Sequence, residues 1–505
     1  MTKKLLACLF SVLTLGALAS CGGDEPAEPI PTPGNGLKET IIQRASSIAE
    51  GQEVDAKQVS TITLNYNTVV NINQEARVTL NGERVTPQRN ATTAMSIDIP
   101  VSLEPGMSYT LEVPSGTVVD KNDQRATAKA YTLRFTTKKS GEQNLPDNGA
   151  MAMTKALGFG WNLGNHFDSH NNGRPVSADM KHWWDNATPT EALYQTLAAQ
   201  GVQTVRIPVT WGPWEGEAPQ YTINADFMAL VKQNVEWARE AGLKVVLNTH
   251  HDEYWMDAYA AGGNTAVNDS LKQRIAATWR QIAETFKQEG DYLILETFNE
   301  LNHEWKDATQ REIEIQNEWN QLAVDVIRST GANNAMRWIA VPSYQASPKC
   351  ALRNDFALPN DPAGKLIVAI HCYDPYDFTL RDPLKTTWGT DADRKAITDV
   401  LNKVKEKFID QDIPCYLGEF GCSLHVTEAE NAIRATYLEY FCRAAHFAGL
   451  AACLWDNHNP GQGPEHHAFF SHNNGAWMDG QEPIVKKMIK ALTSTDANYT
   501  LESIR

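Results

Sequence analysis

From Asn148 to the C-terminus, short and uniformly apolar runs alternate with stretches whose apolar residues recur every three or four positions. Runs with no polar face predict strands buried on both sides, as in a parallel sheet, and the second kind predicts amphipathic helices. The strands fall at Leu157 to Asn165, Thr204 to Val209, Lys244 to His251, Leu293 to Glu300, Met336 to Ser343, Leu366 to Pro375, Cys415 to Gly421 and Ala452 to Asn457. Helices are expected over Ala225 to Ala241, Ser270 to Gln288, Arg311 to Ser329, Arg394 to Asp410 and Ala429 to His446, the first with Phe227, Leu230 and Val231 on its inward face. Gly242, Gly290, Gly331 and Gly449 follow predicted helices, where a left-handed closing residue is expected. Eight β/α units over this length match the α/β class and the (β/α)8 barrel within it. The alternative is an open doubly wound sheet, but no G-x-G-x-x-G follows any strand.

Residues 38–138 follow another rhythm. Ser60 to Tyr66, Ala76 to Leu80, Ala94 to Ile99, Ser108 to Val113 and Ala130 to Thr136 alternate apolar and polar positions, and Asn81-Gly82 is a strong hairpin signal. This predicts an all-β sandwich that resembles bacterial Ig-like modules, with a spacer role preferred over sugar binding. Ahead of it, Lys3-Lys4 and the apolar run Leu5 to Leu18 read as an export signal over residues 1–20, too short for a good spanning helix. Leu18-Ala-Ser-Cys21 resembles the lipobox of bacterial lipoproteins, so Cys21 is the expected lipidation site. Residues 21–37, rich in proline, are the expected tether, and the acidic pair Asp24-Glu25 resembles a surface-export signal. The expected location is the outer membrane, exposed at the cell surface. The catalytic domain is assigned to residues 148–505.

Composition narrows the partners. The chain has 505 residues, 45 basic against 61 acidic, for a net charge of −16, which argues against nucleic acid and anionic membrane surfaces. A neutral substrate is compatible with that charge. Fourteen tryptophans supply indole faces suited to sugar rings, although most tryptophan is core. Beyond Cys8 and Cys21, Cys350, Cys372, Cys415, Cys422, Cys442 and Cys453 show no C-x-x-C spacing and read as small buried hydrophobes, with a disulfide left open.

The chemistry is expected at the C-terminal ends of the barrel strands. Those ends carry Arg206, Asn248-Thr-His250-His251, Asn299-Glu300, His371 and Tyr373, Glu419, and Trp455-Asp-Asn457. Each has a bland reading: Arg206 as a buried ion-pair partner, the histidine pair as satisfied core residues or metal ligands, Glu300 as a surface carboxylate. Convergence on one rim favours a working site. Two carboxylates on separate strand ends suit cleavage of a glycosidic bond.

With these motifs in order, the chain from Asn148 onward resembles glycoside hydrolase family five, a retaining clan of (β/α)8 barrels. Asn299-Glu300 matches the family's strand-four pair and Leu417-Gly-Glu419-Phe-Gly its nucleophile motif, while Arg206, His250, His371, Tyr373 and Trp455 fall on other signature positions. Gly160-Trp-Asn-Leu-Gly-Asn165, Val209-Thr-Trp and Trp455-Asp-Asn look most like endo-β-1,4-glucanases and xyloglucanases. Departures are Leu301 where proline is usual, Cys372 between His371 and Tyr373, and His166 after Gly-Asn. The resemblance implies Glu300 as acid/base and Glu419 as nucleophile, with a substrate-binding set of Arg206, His250, His251, Asn299, His371, Tyr373, Trp455, Asn162 and Asn165, in which Arg206 and Tyr373 also hold Glu419 and the three histidines support it. It implies no cofactor, no metal, a polysaccharide partner, a monomer, and membrane association only through Cys21. Trp211, Trp214, Trp255, Trp305 and Trp388 are candidate sugar platforms, with two or three expected to serve, and the cluster His458, His466, His467 and His472 is expected on a substrate-contacting loop. The expected substrates are cellulose, mixed-linkage glucan or xyloglucan. An endo-β-mannanase is the alternative enzyme, and a non-catalytic sugar-binding lipoprotein the alternative of another class.

Overall fold

A computed structural model of the chain describes residues 38–504 apart from residues 55, 57, 58, 104–106, 138–144 and 147. The export signal, tether and Cys21 lie outside the described residues. The chain divides into two units, Met1–Lys138 and Lys139–Arg505.

The described residues of the first unit are all-β. Three small sheets turn apolar faces into one core, where Ile62, Leu64, Ile97, Ile99, Leu111 and Leu133 have no exposure. Thr61–Tyr66 alternates in burial as its sequence does and pairs antiparallel with Ser96–Pro100. Thr79–Leu80 folds back on Glu83–Arg84 through Asn81 and Gly82, both left-handed (φ 50° and 82°), the geometry a two-residue hairpin requires. Among the described residues two pairings are parallel: Lys38–Ile41 with Ala126–Ala128, and Glu53–Val54 with Tyr131–Thr137.

The second unit is a closed barrel of eight parallel strands: β1 (Phe159–Asn162), β2 (Thr204–Ile207), β3 (Lys244–Asn248), β4 (Leu293–Glu296), β5 (Ile339–Pro342), β6 (Leu366–His371), β7 (Cys415–Phe420) and β8 (Ala451–Leu454). Neighbours pair in sequence order, and β8 closes on β1. Strand parity sorts the side chains: Val205, Ile207, Val245, Leu247, Leu293 and Leu295 pack outward in the helix layer, while Val246 and Ile294 face the barrel axis. The same parity turns Arg206, Asn248 and Glu296 inward, Arg206 in register with Val246 and the other two one pleat nearer the C-terminal rim. The helix Ala150–Leu157 joins the axial cluster through Met153 and Leu157. A polar layer therefore sits on an apolar one.

The predicted helices form, and their true starts follow their caps. Thr309 and Thr427 build capping boxes with Glu312 and Glu430, opening Gln310–Ser329 and Glu428–Phe447. Asn264 opens Thr265–Phe286 earlier than the apolar pattern indicated. Leu230 corrects the expected inward face of Ala225–Glu240: it is 38% exposed, while Phe227, Val231, Asn234, Val235 and Ala238 are buried. At 100° per residue, Leu230 falls well off the arc those five share. Gly242, Gly331 and Gly449 close their helices with positive φ, whereas Gly290 is not left-handed. All six described cysteines are buried free thiols.

Candidate active site

Arg206, fully buried at the heart of the rim, uses its whole donor set. Nε and Nη2 reach Glu296 Oε1 at 3.1 and 2.7 Å, Nη2 also reaches Asn299 Oδ1 at 2.8 Å, and Nη1 reaches Asn162 Oδ1 at 3.0 Å and Glu419 Oε1 at 2.7 Å. Five contacts satisfy the guanidinium's five N–H groups. A buried arginine is tolerable only among such partners. Glu296 is equally deep; burial pushes its carboxyl up, but the Arg206 charge and hydrogen bonds outweigh that and hold it below the usual range. Asn248 Nδ2 donates to Glu296 Oε1 at 3.0 Å, and the Tyr416 hydroxyl donates to its other oxygen.

Glu419 stands over this base, 5% exposed. Besides Arg206 it accepts the Tyr373 hydroxyl at 2.9 Å, and His250 Nε2 lies 3.9 Å away. A local irregularity aims it: Ile370 pairs with Leu417 but His371 with Glu419, so Gly418 is an extra residue in β7. A Cβ at Gly418 would meet His371 Nε2 at 2.9 Å, which makes glycine a packing requirement here.

Glu300 faces it across the cavity, its side chain 21% exposed. One oxygen of Glu300 and one of Glu419 lie within 4.8 Å of each other, with His371 between them. His371 Nδ1 is 2.6 Å from Glu300 Oε1 and 3.7 Å from Glu419 Oε2. Burial raises the Glu300 carboxyl to about 7, and burial lowers the His371 imidazole to about 4. Near neutrality the pair therefore holds one proton in a short hydrogen bond, beside a carboxylate gripped by arginine and tyrosine. Such an arrangement can set a proton donor beside a second carboxylate held in place by arginine and tyrosine.

The cavity, about 890 Å³, is lined by Asn165, His250, His251, Asn299, His371, Tyr373 and Trp455 together with both glutamates. Asn162 and Arg206 do not line it. Both have zero exposure: Arg206 bears on Glu419, as its expected place beside the nucleophile requires, and Asn162 bears on the backbone of Gly418, so neither joins the residues that face a sugar. Residues 169–461 match the sequence profile described as Cellulase (glycosyl hydrolase family 5).

This chain belongs to glycosyl hydrolase family 5. It is 32% identical over 376 residues to endoglucanase B of Clostridium cellulovorans, covering 72% of this chain and 81% of that protein. A solved GH5-4 broad specificity endoglucanase from Bacteroides salanitronis superposes with a TM-score of 0.66 at 36% identity, covering 70% of this chain and 97% of that one. Another, from Ruminococcus champanellensis with bound cellotriose, gives 0.62 at 29% identity, covering 69% and 99%. The protein is a glycoside hydrolase.

Several features of this family 5 hydrolase escaped the sequence reading. Of the five candidate platforms, Trp211, Trp214 and Trp388 are core, Trp255 packs under the Arg274 guanidinium, and Trp305 alone lines the cavity. Trp184 lines it too, and nothing in the sequence sets it apart from its buried neighbour Trp183. The loop after β8 reaches the cavity through Asn457, Asn459 and Glu465, whereas none of its four histidines lines it. His467 and His472 are fully buried, and His458 and His466 engage backbone carbonyls.

His472 has a different task. Its Nδ1 is 2.9 Å from Asp185 and its Nε2 3.3 Å from Asp456, the residues that follow Trp184 and Trp455. Burial alone would lower the imidazole, but the two carboxylates outweigh it and raise it to about 9. One buried cation thus ties together the segments that carry two cavity tryptophans. Replacing it (His472→Gln) leaves two buried carboxylates short of charge, an expected loss of about 3 kcal/mol in urea unfolding. Because the folded pKa is raised, the stabilisation is complete below the unfolded value of about 6.5 and is lost as pH rises through about 9. The gap between wild type and variant should therefore narrow from pH 7 to 10, and a gap independent of pH would exclude the cation. Tryptophan fluorescence reports on the barrel unit alone, since all 14 tryptophans lie beyond Lys139.

Proposed function

We propose that this hydrolase is a retaining endo-β-1,4-glucanase acting on plant cell-wall glucans, cellulose, mixed-linkage glucan and xyloglucan among them. The observation that carries the reading is the approach of the Glu300 and Glu419 oxygens to within 4.8 Å. That gap suits direct attack by a carboxylate, whereas inversion needs roughly 6.5–9.5 Å to admit a water.

In the first step Glu419 attacks the anomeric carbon as Glu300 gives its proton to the departing glycosidic oxygen. The C–O bond to the leaving sugar breaks and an ester to Glu419 forms. Esterification takes the Glu419 carboxylate out of its pairing with Arg206, which keeps Glu296. Glu300, now ionised, takes a proton from water as that water attacks the same carbon, which frees Glu419 and returns the proton to Glu300. Arg206 and Tyr373 fix the Glu419 carboxyl in position; Asn299, oriented by Arg206 through its Oδ1, keeps its Nδ2 for a sugar hydroxyl.

Endo action is supported by aromatic residues on well-separated strands' loops, Trp184 after β1 and Trp305 after β4, in one cavity. The relatives' names, endoglucanase and broad specificity endoglucanase, support a β-glucan substrate. Anchoring at Cys21 on the outer membrane, facing the medium, completes the reading; its support is the Lys3-Lys4, Leu5 to Leu18 and Cys21 pattern. Reducing-end release and viscosity, measured in parallel over carboxymethylcellulose, barley β-glucan, xyloglucan and mannan, test the substrate. The expected result is a rapid fall in viscosity on one or more glucans with few ends released. Activity confined to mannan, or on none of the four, would overturn the assignment.

A further inference from the structure

The turn after Glu300 adopts a conformation that its own residues resist. Glu304 and Trp305 are consecutive non-glycine residues with positive φ, 52° and 54°. There Cβ crowds the backbone carbonyl, so such a pair persists only where neighbouring contacts impose it. Two side chains impose it here. Asn302 works from inside the turn: its Nδ2 donates to Glu300 O at 2.9 Å, and its Oδ1 accepts from Trp305 N at 3.3 Å. Gln345, on the loop after β5, works from outside and grips both ends. Its backbone N–H donates to Leu301 O at 2.9 Å and its Nε2 to Lys306 O at 2.8 Å.

Gln345 is itself left-handed, φ 58°, as is Ala346 at 45°. It stands between two buried anchors: Ala346 has no exposure, and the Tyr344 hydroxyl donates to Glu312 Oε1 at 2.9 Å. The brace is thus fixed to the helix layer and bears on the turn. What the turn presents is Trp305, 63% exposed and lining the same cavity as Glu300. An indole that open, on a backbone that strained, has no packing reason to be there. It stands on the turn that runs directly on from Glu300, the acid that protonates the leaving oxygen.

We propose that Gln345 is a positioning residue that holds Trp305 as the stacking platform for the sugar leaving the scissile bond. The inference rests on the function proposed above. A glucose ring offers axial C–H groups to the indole face, and stacking there sets the glycosidic oxygen against the Glu300 proton. Gln345 acts through the indole, so its loss should matter only when a sugar departs.

The test compares kcat/KM of wild type, Gln345→Ala, Trp305→Ala and the double variant on cellopentaose and on β-cellotriosyl fluoride, whose leaving group is fluoride. Each single variant is expected to lose about tenfold on cellopentaose and no more than about twofold on the fluoride, with the double variant no worse than Trp305→Ala. Gln345→Glu keeps the side-chain length but gives up the Nε2 donor, and should behave as Gln345→Ala. Equal losses on both substrates, losses that multiply in the double variant, or no loss on cellopentaose would each overturn the proposal. Wild type inert on both substrates would overturn the enzymatic reading itself, a distinguishable failure.

Discussion

Replacing Glu419 by alanine is expected to lower kcat on a soluble β-1,4-glucan by about 10⁴-fold or more, because no other group can form the ester. Azide should restore turnover, entering the space the carboxylate left and giving the α-glycosyl azide. The loss is not one of folding. Arg206 keeps Glu296, Asn299 and Asn162 as partners when Glu419 is gone, so the buried guanidinium stays paired. Unchanged tryptophan emission with lost turnover is the expected pair of results. Activity within tenfold of wild type would place the nucleophile elsewhere.

The second large effect belongs to the acid. Glu300→Gln should lower kcat/KM on the same glucan by about 10³-fold, within the range for general acid catalysis. It should spare the formation of the glycosyl ester from a β-glycosyl fluoride, whose leaving group needs no proton. Because the proton donor is the neutral form and burial raises Glu300 to about 7, wild-type kcat/KM should fall about tenfold per pH unit above that value. Glutamine has no proton to lose, so that limb should vanish in the variant. A binding protein without catalysis would show unaltered affinity in Glu300→Gln and no turnover in either form. An alkaline limb that survives the substitution would assign it to another group.

Much of this architecture is written in strand parity. Leu293, Ile294 and Leu295 read as a buried strand, and one more step along it brings a charged side chain to the axis. The same parity turns Arg206 inward between Val205 and Ile207. Glu296 was nonetheless passed over as part of the apolar run, although a carboxylate at an inward position is the signal that a cation must meet it, and Arg206 does. Loops carry no such period. Trp183 and Trp184 are adjacent, yet the first is 5% exposed in the core and the second 40% exposed at the cavity. Nothing in their spacing separates them. His472 and Asp185 are 287 positions apart and Gln345 is 39 from Lys306, so only the folded chain brings either pair together. The four histidines after β8 looked like a cluster by proximity in sequence, and the fold gives two to the interior and two to backbone carbonyls.

In the proposed mechanism Glu419 bonds to the sugar while Glu300 supplies and recovers the proton. Incubation with a 2-deoxy-2-fluoro-β-cellobiosyl fluoride, followed by peptide mass spectrometry, tests it most directly. One fluorocellobiosyl unit per chain is expected, on the peptide containing Glu419 and absent from Glu419→Ala. A unit carried by any other residue would contradict it.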